Sequence, residues 1–187
     1  MNEGVLNVTL MGEHVVLRTP DEGMAELWRE YLTRNHDRFA SVGPKQVMPS
    51  IDNAREFIMG ARESLGRGAG VHFFIFDRSL EETRIIGDLS FSNIVRGIFL
   101  AGDLGFRLDR AYEGRGYMSE AVSRALSYAF EDLKLHRVTA NHMPTNIRSA
   151  RMLRRLGFSI EGYAREYLFL NGRWEDHILS SLIAPCR

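Results

Sequence analysis

Residues 112–119, Tyr-Glu-Gly-Arg-Gly-Tyr-Met-Ser, lie between a predicted strand at 100–108 and a predicted helix at 118–133. Gly114 and Gly116, one residue apart, allow a tight turn that brings backbone N–H groups close to a ligand. The N-terminus of the following helix adds partial positive charge, so the segment suits phosphate oxygens. A plain strand-to-helix turn that needs only glycine flexibility explains the same spacing, and both interpretations stay open.

Two nucleotide-binding motifs are not supported by this turn. A dinucleotide-binding turn has a third glycine where Ser119 stands, an early βαβ unit and an acidic residue about 20 residues further on. Here the turn comes late in the chain, after strands that form a predicted antiparallel meander. A phosphate loop of the Walker type ends in Gly-Lys-Ser/Thr, which is absent.

Outward from the turn, the periodicity of apolar residues predicts alternating strands and helices. Helix 118–133 carries a sustained 3.6-residue apolar stripe, and Asn171-Gly172 is a strong hairpin signal. The other predicted strands are 14–18, 71–76, 85–95, 137–142, 161–170 and 173–182, and the other predicted helices are 21–31, 52–65 and 146–156. This order predicts a mixed α/β (α+β) fold with a central, mostly antiparallel sheet.

The composition is that of a globular protein. Hydrophobic residues make up 44% and charged residues 26% of the 187 residues, which excludes a disordered chain. Lys plus Arg and Asp plus Glu number 24 each, so the whole protein's charge favours no nucleic acid. No apolar run approaches the roughly 20 residues that span a bilayer, and residues 1–10 lack the layout of a signal peptide. The single cysteine, Cys186, excludes a disulfide framework. We expect a soluble, cytoplasmic, single-domain protein over residues 1–187.

Two motifs resemble the Gcn5-related N-acetyltransferase (GNAT) superfamily. Its pyrophosphate loop, Gln/Arg-x-x-Gly-x-Gly/Ala, is similar to Glu113-Gly-Arg-Gly-Tyr-Met118, with Gly116 as the central glycine. Glu113 stands here instead of Gln or Arg, and Met118 instead of Gly or Ala. Residues 146–158, Asn-Ile-Arg-Ser-Ala-Arg-Met-Leu-Arg-Arg-Leu-Gly-Phe, are similar to the superfamily's Asn-x-x-Ala/Ser…Gly-Phe helix. The resemblance covers about 14–182.

Within the superfamily, the chain resembles the ribosomal-protein-alanine N-acetyltransferases of the RimJ/RimL type. The segments that carry this likeness are 85–97, 136–146, 161–167 and 171–177. The RimJ branch is nearer, through Phe-Ser-Asn-Ile-Val-Arg-Gly at 91–97. The resemblance implies a GNAT fold: a mostly antiparallel mixed sheet of about seven strands, helices on both faces, and splayed fourth and fifth strands (100–108 and 137–142).

The resemblance also implies acetyl transfer from acetyl-coenzyme A to a primary amine, without a metal. Pantetheine would lie between the splayed strands and pair with backbone groups near Phe106 and Leu108, and a backbone N–H would stabilise the oxyanion. The other implied coenzyme-binding residues are Glu113, Gly114, Arg115, Gly116, Tyr117, Met118, Ser119 and Asn146. The six histidines show no metal-ligand spacing.

Two proton transfers need residues of their own. Many relatives use a Tyr acid at the position of Leu153, which cannot serve, so Ser149, one helical turn earlier, is the predicted substitute. The base stays open among Asn141 holding a water, Asp103 and Asp88. An α-amino group titrates near about 7.7–8.0, against about 10.4 for lysine, so a water relay can suffice. This chemistry favours a protein N-terminus as the acceptor.

The resemblance therefore predicts acetylation of the N-terminal α-amino group, of alanine in particular, of a small-subunit ribosomal protein, by direct attack in a ternary complex. Two alternatives stay open: acetylation of a small amine such as an antibiotic or a polyamine, and a non-catalytic coenzyme A-binding module. We expect a monomer or homodimer with no direct nucleic-acid binding and no membrane partner. Four arginines of helix 146–156 form a solvated face, or contact the coenzyme 3′-phosphate or the ribosome: Arg148, Arg151, Arg154 and Arg155.

Overall fold

The computed structural model describes residues 7–42, 49–80 and 82–185, so Cys186 and residues 1–6 lie outside it. Within these ranges the chain forms eight strands and five α-helices. The strands are β1 (Thr9–Met11), β2 (Val15–Arg18), β3 (Val71–Asp77), β4 (Ile85–Val95), β5 (Ala101–Leu108), β6 (Arg137–Thr139), β7 (Ser159–Leu170) and β8 (Arg173–Ile183). The helices are α1 (Ala25–Arg34), α2 (His36–Val42), α3 (Ile51–Gly66), α4 (Tyr117–Glu131) and α5 (Ile147–Arg155).

The eight strands form one sheet in the order β1-β2-β3-β4-β5-β6-β8-β7. Every neighbouring pair is antiparallel except β5 and β6, which are parallel. The predicted mixed, mostly antiparallel sheet is confirmed. Strand β1 and helix α2 were not predicted, because three and seven residues are too few for a periodic pattern.

Strands β5 and β6 part after a short common stretch. Their register pairs Ala101–Asp103 with Arg137–Thr139 and ends there. Beyond it, β5 continues along β4, where Phe106 faces Leu89. The chain after β6 follows β8 instead, with Ala140 N donating to Ser180 O at 2.8 Å. A gap therefore opens between β5 and β6, which are the fourth and fifth of the predicted strands because β1 was not among them.

A hydrophobic core lies on each face of the sheet. Alternation along β3 sends Phe73 and Ile75 to one face and Phe74 and Phe76 to the other. The first face is covered by the apolar stripe of α4, the second by α1 and α3. Helices on both faces are thus confirmed. The packing of α4 fixes its N-terminus beside the end of β5, where the glycine turn lies.

Candidate active site

The loop at residues 109–116 carries the glycine turn from β5 to α4. Asp109 is buried and anchors it, because its Oδ1 accepts a hydrogen bond from Ala111 N at 3.0 Å. Gly114 and Gly116 have φ of +76° and +87°, a region that glycine adopts at little cost. Among the described residues, a Cβ added at either glycine would meet nothing within 4 Å. The loop backbone therefore borders open space that a ligand can fill.

The N-terminus of α4 points its amides into the same space. Its N-cap, Gly116, offers no side-chain acceptor, so within the described ranges the N–H groups of the first turn have no capping side chain. The helix end is fixed by three side chains: Met118 is buried in the core, Tyr117 Oη donates to Asp77 Oδ2 at 3.1 Å, and Glu120 accepts from the turn between β1 and β2. Fixed, unpartnered amides at a helix N-terminus suit an anion such as phosphate.

An arginine-rich cleft of about 770 Å³ opens beside this loop. Its lining residues are Thr33, Arg34, Asn35, His36, Asp37, Arg38, Arg110, Glu113 and Arg148. Glu113 pairs through one carboxylate oxygen with Arg38 and through the other with Arg148. The arginine side chains that line the cleft are suitable hydrogen-bond donors for a phosphate-bearing ligand. Arg38 was missed in the sequence because its helix α2 gave no periodic signal.

The backbone of β5 offers hydrogen-bonding groups to the gap. Asp109 N donates to Ile86 O at 2.7 Å, so this pair is a hydrogen-bonded one. Alternation along an antiparallel ladder then turns the N–H and C=O groups of Leu108 and Phe106 away from β4, into the gap. Leu108 O accepts a hydrogen bond from Arg38 Nη1 at 2.9 Å. The two strand positions predicted from the sequence therefore do line the gap.

Ser149 lies in the first turn of α5. Asn146 is the N-cap of this helix, and its Oδ1 accepts from Ser149 N at 3.1 Å. Ser149 is half-buried and shares a helix face with Met152 and Leu153, three and four residues on, which are buried. No hydrogen bond of the Ser149 hydroxyl occurs within the part of the chain that the structure describes. This hydroxyl is available to a ligand.

Asn141 lies on the opposite face of the sheet from α4. Val138 and Ala140 are buried in the core beneath α4, so the alternating positions Thr139 and Asn141 face the other way. On this face α1 and α3 contact β3 and β4, and Arg38 of α2 reaches Leu108 O at the end of β5. The glycine loop leads into α4 on one side of the gap, and Asn141 faces the other side, which we call the open side.

Three side chains next to the gap form what we call the polar shelf: Asn141, Tyr167 and His177. Asn141 Nδ2 lies 3.4 Å from Tyr167 Oη, and the rings of Tyr167 and His177 are 5.5 Å apart. His177 is buried, whereas Tyr167 is 41% exposed. The sequence predicts the hairpin strand 161–170 that contains Tyr167, but not the contact of Tyr167 with Asn141, because the two residues are 26 positions apart.

The two acidic candidates are both engaged in the sheet. Asp103, at the point where β5 and β6 part, accepts hydrogen bonds from Asn93 Nδ2 at 2.8 Å and from the Thr139 hydroxyl. Asp88 is buried and is held by Arg107 through contacts of 3.1 and 3.0 Å. Burial alone would raise the pKa of Asp88, but the Arg107 charge and the nearby His72 ring outweigh it and lower the pKa to about 2. Asp88 therefore stays ionised and paired, and we give it no proton-transfer role.

The predicted coenzyme-binding residues differ in exposure. Gly114, Arg115, Gly116 and Asn146 are exposed, Phe106, Leu108, Glu113, Tyr117 and Ser119 are half-buried, and Met118 is buried. Within the described ranges, no group of three or more His, Cys, Asp or Glu side chains could hold a metal ion. The helices described are too short or too polar to cross a membrane.

The chain has the arrangement of an acyltransferase. Its sheet parts between β5 and β6, a glycine loop borders the gap, and α4 begins without a capping side chain. The acetyltransferase (GNAT) domain family matches residues 14–159, and the chain belongs to this family. The predicted acetyltransferase class is thereby confirmed.

Three known proteins are similar to this chain over nearly its whole length. The [ribosomal protein uS5]-alanine N-acetyltransferase of Escherichia coli (strain K12) is 44% identical over 97% of this chain and 93% of its own length. The crystal structure of ribosomal-protein-S5-alanine acetyltransferase from Vibrio fischeri superimposes with a TM-score of 0.89 and 35% identity, covering 95% of this chain and 97% of that one. Mycobacterium smegmatis RimJ, solved in complex with CoA-disulfide, has a TM-score of 0.86 at 23% identity over 95% of this chain and 87% of its own, and shows the shared fold.

Proposed function

We propose that this protein transfers the acetyl group of acetyl-coenzyme A to the N-terminal α-amino group, of alanine, of a small-subunit ribosomal protein. The observation that carries the proposal is the 44% identity, over 97% of the chain, to an enzyme named for that reaction on uS5. The reaction belongs to one domain with its core at about 14–182.

The described residues fit two parts of the coenzyme, its pyrophosphate and its pantetheine arm. Backbone N–H groups of residues 114–119 would bind the pyrophosphate, and Arg38 and Arg148 lie beside them. The backbone of Phe106 and Leu108 would pair with pantetheine in the gap. A protein of the same fold has been solved in complex with CoA-disulfide, which supports coenzyme A as the ligand.

Once bound, the coenzyme supplies the acetyl thioester, and the chain stabilises the charges that develop on it. A backbone N–H on the gap side of β5 would donate to the carbonyl oxygen as it becomes negative. Ser149, whose hydroxyl is free within the described residues, would donate to the leaving sulfur. These two donors act on opposite ends of the bond that breaks.

Proton removal from the acceptor needs little from the chain. The free α-amino group has a pKa near about 7.7–8.0, so part of it is already neutral at pH 7. Asn141, on the open side of the gap, would hold through the second N–H of its amide a water that carries the proton away. Asp103, bonded to Thr139, would order the point where the two strands part.

The exposed apolar side chains of the β7–β8 hairpin favour a polypeptide acceptor over a small amine. The β7–β8 hairpin exposes large apolar side chains, among them Tyr163, Leu168, Phe169 and Trp174. Phe169 and Trp174 pack edge to face with ring centroids 5.5 Å apart. Exposed apolar side chains on this hairpin can hold the residues that follow a protein N-terminus, whereas a small amine would need an enclosed pocket.

The first experiment measures thiol release from acetyl-coenzyme A with a uS5-derived peptide that begins with alanine. We expect turnover of the peptide, its loss when the peptide N-terminus is blocked, and little turnover of polyamines or amino-sugar antibiotics. Turnover of the small amines alone would show that the acceptor is a small amine, and the proposed coenzyme site would remain. No turnover of any amine would favour a non-catalytic coenzyme A-binding module.

Replacing Gly116 by valine tests the coenzyme loop. We expect the KM for acetyl-coenzyme A to rise about 10-fold or more, because a β-branched residue resists φ of +87° and its side chain fills the open space. The matched control is Gly97→Val in the β4–β5 turn, where φ is +74° and an added Cβ also meets nothing within 4 Å. Equal effects of the two substitutions on KM would argue against a phosphate role for the loop.

A further inference from the structure

Strand β7 contains a three-residue bulge beside the polar shelf. Ala164 pairs with His177 and Leu168 with Glu175, so residues 165–167 stand opposite Asp176 alone. Such bulges re-aim side chains next to functional sites. Here the re-aimed side chain is that of Tyr167, the last residue of the bulge.

Asp176 holds the bulge in place from β8. Its Oδ1 accepts from Glu166 N at 2.7 Å, and its Oδ2 bonds the Tyr163 hydroxyl. Glu166 has φ of +49°, a left-handed conformation that costs energy for a residue other than glycine. Hydrogen bonds from Tyr163 and the Glu166 N–H lower the pKa of Asp176, so the carboxylate is ionised at neutral pH. The hydrogen bond from Glu166 N to Asp176 thus helps to maintain an unfavourable backbone conformation at Glu166.

The result is that the Tyr167 hydroxyl lies at Asn141, on the open side of the gap. The contact between Tyr167 Oη and Asn141 Nδ2 is long, at 3.4 Å, and so is the contact between Asn141 Oδ1 and Ser180 N. A hydroxyl has two acceptor lone pairs, and a side-chain amide oxygen also has two. Both oxygens therefore retain acceptor capacity for a further donor.

A neutral primary amine matches two neighbouring acceptors. It has two N–H bonds and one lone pair, and only the lone pair can attack a thioester carbonyl. If both N–H bonds are held by oxygens on one side, the lone pair points to the other side. On the polar shelf, that other side is the gap between β5 and β6.

We propose that Tyr167 Oη and Asn141 Oδ1 bind the two N–H bonds of the acceptor amine, and that Asp176 is a positioning residue that sets Tyr167 through the bulge. This assignment rests on the proposed function and extends it to the amine-binding site. It concerns the acceptor alone, because the coenzyme loop lies on the opposite side of the gap.

The hydroxyl of Tyr167 is tested by Tyr167→Phe. A hydrogen bond contributes about 0.5–1.5 kcal/mol, so we expect kcat/KM for the alanine peptide to fall about 3- to 10-fold. The KM for acetyl-coenzyme A should stay unchanged. The matched control is Tyr128→Phe, which removes a hydroxyl from α4. The Tyr128 ring packs on Phe73 in the core beneath that helix.

A double-mutant cycle tests whether Asp176 acts through Tyr167. Asp176→Ala should lower kcat/KM for the peptide, yet add little when Tyr167 is already phenylalanine. Asp176→Asn keeps an oxygen for the Glu166 N–H and should recover part of the activity. The positioning role would be overturned if the losses in kcat/KM from Asp176→Ala and Tyr167→Phe were additive. It would also be overturned if Asp176→Asn and Asp176→Ala caused equal losses.

The wild-type assay separates this assignment from the function on which it rests. Peptide turnover by the wild type together with an unchanged Tyr167→Phe variant would overturn the amine site alone. A wild type that turns over no peptide would overturn the proposed function and the amine site together.

Discussion

Ser149→Ala lowers kcat for the alanine peptide about 100-fold or more, while the KM for acetyl-coenzyme A changes less than about 2-fold. General acid catalysis by a positioned side chain contributes roughly 10²–10⁴ in rate. The expected loss falls on kcat because the sulfur becomes a good acceptor only as its bond to the acetyl carbon breaks. Steady-state kinetics with each substrate varied in turn measure the two parameters separately.

The position of Ser149 in α5 explains why no neighbour takes over its role. The side chain one turn further along, Leu153, is buried in the core and has no proton to give. The remaining polar side chains of the helix are arginines: Arg148 pairs with Glu113, and Arg151, Arg154 and Arg155 are exposed on the face away from Met152 and Leu153. Loss of the Ser149 hydroxyl therefore leaves the sulfur end of the gap without a side-chain donor from this helix.

Two further variants make the Ser149 prediction specific. Ser127→Ala removes an exposed hydroxyl from α4 and should leave kcat within about 2-fold. Ser149→Thr keeps a hydroxyl at the same position and should retain more activity than alanine. A Ser149→Ala enzyme with wild-type kcat would exclude the hydroxyl from proton transfer.

The elements that the sequence predicted well are those set by local chemistry. The α4 stripe was read directly from apolar residues at helical spacing, and these side chains are buried against the sheet. Asn171 and Gly172 have φ of +53° and +82°, as a two-residue hairpin with both central residues left-handed requires. The glycine turn was found for the same reason, since its conformation depends on its own two glycines.

Contacts between residues that are far apart along the chain could not be predicted from the sequence. Arg38 reaches Glu113 and Leu108 across 75 and 70 positions, and it comes from a helix too short to be predicted. Tyr167 meets Asn141 only because a bulge re-aims it, and no hydrophobic pattern records a bulge of polar residues. Asp88 was a candidate base on strand position alone, whereas its pairing with Arg107 depends on the register of β4 against β5.

The pairing of Asp88 with Arg107 makes Asp88→Asn strongly destabilising. Asp88 is 4% exposed, and the guanidinium of Arg107 lies 4.8 Å from the Phe39 ring centroid and 5.7 Å from that of Trp28. Removing the carboxylate leaves the half-buried guanidinium of Arg107 without its counter-charge, which costs up to about 3 kcal/mol in the free energy of unfolding, the lower end of the range for a fully buried pair. Urea denaturation at pH 7, followed by fluorescence, measures the loss.

The charge origin of this loss is tested by removing both partners. Asp88→Asn combined with Arg107→Met leaves no buried charge and should recover much of the stability, since replacing a whole buried pair by uncharged groups is often nearly neutral. The exposed pair of Arg67 and Glu63 is the control, because Glu63→Gln there should change the free energy of unfolding by less than about 1 kcal/mol. A double variant as unstable as Asp88→Asn would mean that packing, and not charge, sets the cost.

The same carboxyl gives the protein a distinct acid sensitivity. Its pKa is about 2 in the folded protein and about 3.9 in an unfolded chain. The unfolded state therefore binds the proton first, so the pair stabilises the fold fully above about pH 4–5, and its contribution of roughly 2–3 kcal/mol is lost as the pH falls towards 2. Asp88→Asn should flatten this part of the curve of unfolding free energy against pH. A variant with the wild-type slope between pH 4 and 2 would show that other carboxyls cause the acid unfolding.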